Sequence, residues 1–326
     1  MRNKIFILSF AMFLSFFAFS AHAQVASSDI SIDISPEFPK PNETVKVTLS
    51  SFSIDLNKSN IAWSVNSKEV ITSVGKKDFT FEMGGFGENT YIEAKIYTTG
   101  GQSLIKNISV SSANIDMLWE AYDSYVPPFY RGKTLASQEI NYKIVAIPNM
   151  MSGGYRANAD QMSYTWTKDD DGQVESSGFG KSSFIFKNTY LESSNTIEVV
   201  ASDITGKNST SGSITVTGSD PKIVFYRNDP VFGVDIDHAL KDNFNLNNKG
   251  DSIFVAPYFF SPKMINSQEL VFDWSLNGEV IATPNPKNIL SIKPNNSQSG
   301  VAVIKIAVNN ARSLFQTLEK TINANF

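Results

Sequence analysis

From about residue 30 to its end, the chain is a succession of short stretches in which apolar and polar residues alternate. Alternation with a period of two places successive side chains on opposite faces of a β-strand. Clusters of Ser, Asn, Asp and Gly separate these stretches and are typical of turns. A helical turn or two over residues 237–244 is the one expected exception. The pattern predicts an all-β fold.

The strand pattern repeats along the chain with a period close to the size of one small β-sandwich. Trp63, Trp166 and Trp274 lie 103 and 108 residues apart, each in an alternating strand that runs into a turn. One buried Trp in the third strand, packed between two sheets, is typical of an immunoglobulin-like sandwich. The three tryptophans are therefore predicted to be structural core residues.

The turns that follow these tryptophans also correspond. Asn277-Gly278 is the strongest short signal for a β-hairpin, because both central residues of a type I′ turn need a positive φ. Asn66-Ser67 is a weaker copy, and Asp169 to Gly172 are interpreted as a longer version of the same corner. Short junctions near residues 112 and 219 complete the repeat. The sequence predicts three tandem sandwich domains over residues 24–112, 113–218 and 219–326.

The first two dozen residues have the composition of a signal peptide. Arg2 and Lys4 precede an apolar run from Ile5 to Phe19, and Ala21-His22-Ala23 supplies small residues for cleavage. Cleavage is expected before Gln24, so residues 1–23 are excluded from the fold. The mature chain is expected to be extracytoplasmic, either secreted or associated with the cell surface, with no inserted membrane segment and no tail anchor.

Charge and cysteine content narrow the classes of partner and chemistry. The net charge of −4 becomes −6 without Arg2 and Lys4, which argues against nucleic acid and anionic membranes as partners. The chain has no Cys. This excludes cysteine ligands, cysteine nucleophiles, disulfides and a lipoprotein anchor, and it favours a bacterial exterior over an animal secretory pathway.

The second repeat resembles the PKD branch of the immunoglobulin-like folds. Tyr164-Thr165-Trp166 matches its Tyr-x-Trp strand, and residues 197–206 match its Val-rich strand ending in an Asp and a Gly turn. The Gly-Asp-Gly corner usual in that family is replaced by Asp169 to Gly172. The resemblance implies a tandem PKD-like surface protein.

The whole chain also resembles three-domain exported PKD-like proteins of very small host-associated bacteria, often encoded near type IV pilus genes. The segments that carry this resemblance are residues 125–133 and 256–261. It implies a surface or pilus-associated role with no catalytic residue and no cofactor.

Two polar segments are candidates for chemical sites. Asp169, Asp170 and Asp171 are a weak candidate for Ca²⁺, which binds carboxylate and carbonyl oxygens, but we favour an acidic hairpin turn, because Asp and Gly are ordinary turn residues. After cleavage His238 is the only His, so a Ser-His-Asp triad would have to use it. It lies in a polar segment that reads as a loop. We predict that the protein is not an enzyme.

An aromatic stretch is the candidate binding surface. Trp119, Tyr122, Tyr125, Phe129 and Tyr130 could form a platform for stacking sugars or a contact surface for a protein. We favour a structural role, in which the stretch forms the first strand and crossover of the second domain and packs against the first domain, because aromatic residues dominate cores and domain interfaces. The sequence favours a structural or adhesive surface protein, whose partner is a protein or glycan at the cell surface; the alternative is a secreted carbohydrate-binding protein.

Overall fold

The computed structural model describes residues 29–294 and 299–326, which fold almost entirely as β-strands. The predicted signal peptide lies outside the described residues. Contacts divide the chain into two compact units, one ending at Ser112 and the other spanning Ala113–Phe326. The predicted junction near residue 219 lies inside the second unit, so the ranges of the second and third domains stay a prediction. Among the described residues, no helix is both long and apolar enough to cross a membrane.

The first unit is a sandwich of a three-stranded and a four-stranded antiparallel sheet, ordered β1-β2-β5 and β4-β3-β6-β7. Its core is closed by inward residues of both sheets, such as Val47 on β2 and Ile92 on β6. This division of seven strands between two sheets is immunoglobulin-like. The strands are β1 Ile30–Ser35, β2 Thr44–Ser51, β3 Asn60–Val65, β4 Lys68–Val74, β5 Asp78–Glu82, β6 Asn89–Tyr97 and β7 Ser103–Ser111.

The second unit begins with a sandwich of the same plan. One sheet is ordered β15-β9-β8. The other is ordered β13-β12-β16-β17, and β14 also pairs with β12. The strands β10 and β11 form a separate hairpin. Short 3-10 turns occupy Ala159–Gln161 and Val174–Ser176. The strands are β8 Asn114–Ala121, β9 Asn141–Asn149, β10 Met151–Ser152, β11 Tyr155–Arg156, β12 Ser163–Lys168, β13 Asp171–Gly172, β14 Gly178–Phe179, β15 Ser183–Lys187, β16 Ser194–Ser202 and β17 Ser209–Thr217.

The same unit ends with a third sandwich, whose sheets are ordered β19-β18-β21-β24 and β20-β26-β25-β22-β23. The strands are β18 Lys222–Asp229, β19 Gly233–Ala239, β20 Asn243–Asn245, β21 Asp251–Tyr258, β22 Leu270–Leu276, β23 Glu279–Ile281, β24 Ile289–Ile292, β25 Val301–Asn310 and β26 Ser313–Asn325. The helical turn predicted over 237–244 is wrong. That segment holds the end of β19 and the start of β20, which pairs in parallel with the distant β26.

The three repeated tryptophans occupy equivalent places in the three cores. Trp63, Trp166 and Trp274 lie on β3, β12 and β22 and are 0%, 0% and 1% exposed. Each indole N–H donates to a main-chain carbonyl that lies two residues before the next strand of the opposite sheet, namely β5, β15 or β24. The acceptors are Lys76 at 2.8 Å, Lys181 at 2.8 Å and Lys287 at 2.9 Å. The only polar atom of each buried indole is thereby satisfied.

The corresponding hairpin turns are also alike, including the acidic one. Lys168 pairs with Asp171, so Asp169 and Asp170 form a two-residue turn with φ of 48° and 68°. The interpretation of residues 169–172 as a longer corner is therefore wrong. Asn66 and Asn277 occupy the same first turn position with φ of 48° and 51°. In each repeat this side chain accepts the N–H of a residue on the neighbouring strand, namely Tyr91, Thr196 or Val303.

Candidate functional site

The aromatic segment after β8 joins the two sandwiches of the second unit. The N–H of Tyr125 donates to the carbonyl of Phe260 at 2.6 Å, and the N–H of Phe259 donates back to the carbonyl of Tyr125 at 2.8 Å. This reciprocal pair continues the main-chain pairing beyond the end of β21. Tyr125 is 7% exposed, and burial raises the pKa of its phenol to about 12. Its side chain is therefore part of the protein interior.

The rings that follow pack on the third sandwich. Phe129 meets Tyr226 edge-on at 5.5 Å between ring centroids, and Tyr130 meets Tyr258 at 5.5 Å and Phe259 at 5.9 Å. Such edge-to-face pairs are favourable beyond the area that they bury. We call Tyr125, Phe129, Tyr130, Tyr226, Tyr258 and Phe259 the aromatic junction. The sequence predicted packing against the first domain, whereas the contacts of these rings lie with strands that follow them in the chain.

The remaining two residues of the predicted platform lie apart from the junction. Trp119 is half-buried on β8, with its ring tilted against Tyr142 at 5.5 Å. The ammonium of Lys133 lies 3.3 Å from the centroid of the Trp119 ring, so a cation covers that face. Tyr122 is 46% exposed. The structure thus separates the five aromatic residues into two sets. Tyr125, which is buried, and Phe129 and Tyr130, which are half-buried, pack on the third sandwich, whereas Trp119 and Tyr122 lie apart from it.

A buried glutamine makes a second link between the same sandwiches. Gln316 on β26 is 0% exposed, and its side-chain N–H donates to the carbonyl of Gln138 at 2.6 Å. Its side-chain oxygen accepts the N–H of Ser261 at 2.9 Å. Nearby, the rings of Tyr190 and Phe315 stack at 4.2 Å. Sequence reasoning missed Gln316, because a polar residue in an alternating strand is normally taken as solvent-facing.

The acidic turn holds an ion-pair and hydrogen-bond network. The carboxylate of Asp169 accepts the N–H of Thr196 at 2.7 Å, the amide of Asn195 at 2.9 Å and the ammonium of Lys168 at 2.9 Å. Lys168 also reaches Glu192 at 3.3 Å. Burial raises the pKa of Asp169, but these hydrogen bonds outweigh it and hold the pKa below its usual 3.8. Lys168 thus supplies the positive charge beside this carboxylate.

The other predicted chemical residues lie at the surface. Asp170 and Asp171 are exposed. His238 lies on the strand β19, so the loop predicted there is wrong; its side chain is exposed, and its Nδ1 lies 3.1 Å from Asp235. Over residues 29–294 and 299–326 there is no group of three or more His, Cys, Asp or Glu side chains placed to hold a metal ion.

The Asp of the Val-rich strand in the second sandwich is a structural corner. Asp203 is 6% exposed and accepts hydrogen bonds from Thr205 at 2.7 Å, Asn208 at 2.7 Å and Ser152 at 2.8 Å. Burial by itself would raise the pKa of Asp203. The hydrogen bonds, of which that from Asn208 has the largest effect, outweigh burial and hold the pKa well below its usual 3.8. Asp203 therefore stabilises the turn between β16 and β17 in its charged form.

No protein-family model matches the chain, and neither does any curated protein sequence. Among solved structures, the fibronectin(III)-like modules of Clostridium thermocellum CbhA match with a TM-score of 0.29 and 10% identity, over 58% of this chain and 94% of that one. Three N-terminal domains of the bacteriophage RB49 outer capsid protein Hoc match with a TM-score of 0.25 and 9% identity, over 90% of this chain and 97% of that one. A bacterial ice-binding adhesin matches with a TM-score of 0.24 and 8% identity, over 91% and 95% of the two chains.

Proposed function

We propose that this protein is an exported, non-catalytic surface protein with a structural or adhesive role. The observation that carries the proposal is the main-chain pairing of Tyr125 with Phe259 and Phe260 inside the aromatic junction. Tyr125, Phe129 and Tyr130 contact the third sandwich and so hold two sandwiches together, which is a structural use. The tandem sandwiches and the signal peptide predicted from residues 1–23 support an extracytoplasmic location.

The junction resists relative motion of the two sandwiches. Domains within one chain move against each other by default unless their interface is large and apolar. Here, separation would break two main-chain hydrogen bonds, the contacts of Gln316 and the ring contacts of Phe129 and Tyr130. Such a pair of sandwiches suits a spacer or scaffold that presents a surface at a fixed distance from its attachment.

The finer proposal is an accessory of a type IV pilus or another envelope assembly, in a bacterium, with a protein or glycan of the cell surface as its partner. It rests on the resemblance of residues 125–133 and 256–261 to exported PKD-like proteins. The acidic net charge argues against nucleic acid and against an anionic membrane as the partner.

Cell fractionation tests the proposal directly. Native cells are sheared, and the chain is quantified by mass spectrometry in the sheared appendages, the washed envelope and the culture supernatant. Enrichment with the appendages or the envelope supports the structural role, and crosslinking then identifies the neighbour. Recovery in the supernatant alone refutes it.

A carbohydrate-binding role is the second candidate, because Trp119 and Tyr122 keep some solvent exposure on the second sandwich. Glycan screening of the mature protein beside its Trp119→Ala and Tyr122→Ala variants decides it. Binding that both variants abolish would establish this role. Tyr125 is buried, so a Tyr125 variant would report on folding and is unsuitable as a probe of binding.

A further inference from the structure

The second sandwich holds an amine, an amide and a carboxylate in mutual contact at the end of β12. The Nζ of Lys168 lies 3.3 Å from one oxygen of Glu192, and the Nδ2 of Asn195 lies 3.0 Å from the other oxygen. Both nitrogens also lie 2.9 Å from the same oxygen of Asp169. The amine and the amide nitrogen are therefore within two hydrogen-bond lengths of each other.

This group is enclosed at its amide end. Asn195 is 2% exposed, the Lys168 side chain is 18% exposed, and the Lys168 ammonium lies 5.5 Å from the centroid of the Phe186 ring. A buried amide held by two carboxylates has a fixed orientation. Fixed geometry of this kind raises the effective concentration of one reacting group near the other to about 10⁵–10⁸ M in favourable cases.

The other two sandwiches show that the fold does not require these residues. The positions equivalent to Lys168 are Val65 and Leu276, each directly before its hairpin turn. Asn195 directly precedes Thr196, whose N–H is bound by the turn side chain. The residues at this position in the other two sandwiches are Thr90 and Ala302, which precede Tyr91 and Val303. Small or apolar residues thus close the same corner elsewhere, and the Lys–Asn pair is an addition peculiar to the second sandwich.

We propose that Lys168 and Asn195 form an intramolecular isopeptide bond, with Glu192 as the group that transfers the proton between them. Glu192 takes a proton from the ammonium, and the freed amine attacks Cγ of Asn195. The new C–N bond forms, the Cγ–Nδ2 bond breaks, and Glu192 returns the proton to Nδ2. Nitrogen leaves as ammonia, which takes up the remaining proton as ammonium. No oxidant, reductant or other reactant is needed.

The arrangement of Glu192 matches this role. One of its oxygens faces the nucleophilic nitrogen and the other faces the leaving nitrogen, so a single carboxyl group connects the two ends of the transfer. The salt bridges favour the charged amine, which makes the step slow. A structural cross-link forms once in each molecule and requires no turnover. In an exported chain without Cys, it would staple β12 to β16 where a disulfide is impossible.

Mass spectrometry of the intact purified protein tests the proposal. We expect the wild type, after prolonged incubation at physiological temperature, to be lighter by one molecule of ammonia than the unmodified chain. Trypsin does not cleave after an acylated lysine, so the digest should contain a branched peptide joining Lys168 to Asn195. Lys168→Arg keeps the positive charge but lacks the reactive amine, and it should retain the full mass. Asn195→Ala should do the same.

The outcomes separate clearly. Full mass in the wild type, with Lys168 and Asn195 recovered only in unbranched peptides, overturns the proposal. A cross-link that forms equally in Glu192→Gln overturns the role assigned to Glu192. Loss of the cross-link in Glu192→Gln, with circular dichroism like that of the wild type, supports the proton-transfer role.

Discussion

Replacing one core tryptophan by phenylalanine tests the repeated indole hydrogen bond. In Trp166→Phe, the carbonyl of Lys181 loses its donor inside the protein, which costs about 1–3 kcal/mol. The smaller ring also removes apolar contact and leaves a cavity, which adds about 1–2 kcal/mol. We expect the free energy of opening of the second sandwich to fall by about 2–5 kcal/mol. Trp63→Phe and Trp274→Phe should have similar effects, because their indoles donate in the same way.

Hydrogen exchange measured by mass spectrometry suits this experiment, because it reports the opening of each sandwich separately within the intact chain. Faster exchange in Trp166→Phe should concentrate in the core strands around it, such as β12 and β16. Trp119→Phe is the matched control. Its ring is half-buried, and its indole N–H has no hydrogen-bond partner among the described residues, so we expect a change below about 1 kcal/mol.

Two results would refute this reasoning. The first is a loss below about 0.5 kcal/mol at all three core positions, a size typical of surface substitutions. The second is a loss in Trp119→Phe as large as that in Trp166→Phe. In either case the buried indole hydrogen bond would have no special energetic role.

Three further outcomes are expected. Gln316→Ala should lower the unfolding free energy of the second unit by about 2–4 kcal/mol, because two main-chain groups lose their partner, and calorimetry should show its melting separate into two transitions. Asp203→Asn should cost about 1.5–3 kcal/mol at pH 7. Because the folded pKa of Asp203 is lowered, its contribution is present above the usual pKa of 3.8 and is lost as the pH falls through the folded value. Urea titrations at pH 7 and pH 3 should therefore show a smaller difference between wild type and variant at pH 3. Chelation of Ca²⁺ should leave the melting temperature unchanged, since Lys168 supplies the cation beside Asp169; a decrease would reinstate a metal site.

Local patterns in the sequence anticipated much of the fold. Alternation over four to eight residues predicted strands, and positive-φ turn residues predicted the hairpin after Trp274. The length of the acidic turn is not evident from its sequence, because Asp is less common than Asn in a type I′ turn, although Asp169 adopts the same φ as Asn66. The helical prediction for residues 237–244 is wrong because β20 forms by pairing with residues 323–325, which are distant in the chain, so no local pattern predicts it.

The sequence by itself determined the all-β class and the repeat spacing of the three tryptophans, and it predicts an export signal in residues 1–23. Those features depend on the order of neighbouring residues. Only the tertiary structure decided that Tyr125 and Phe129 pack on the third sandwich, that Gln316 is buried, and that Lys168 meets Asn195 beside Glu192. The alternation of side chains along a strand predicts which face of the strand is apolar. The surface that covers this face depends on packing with residues distant in the chain, which no local pattern encodes.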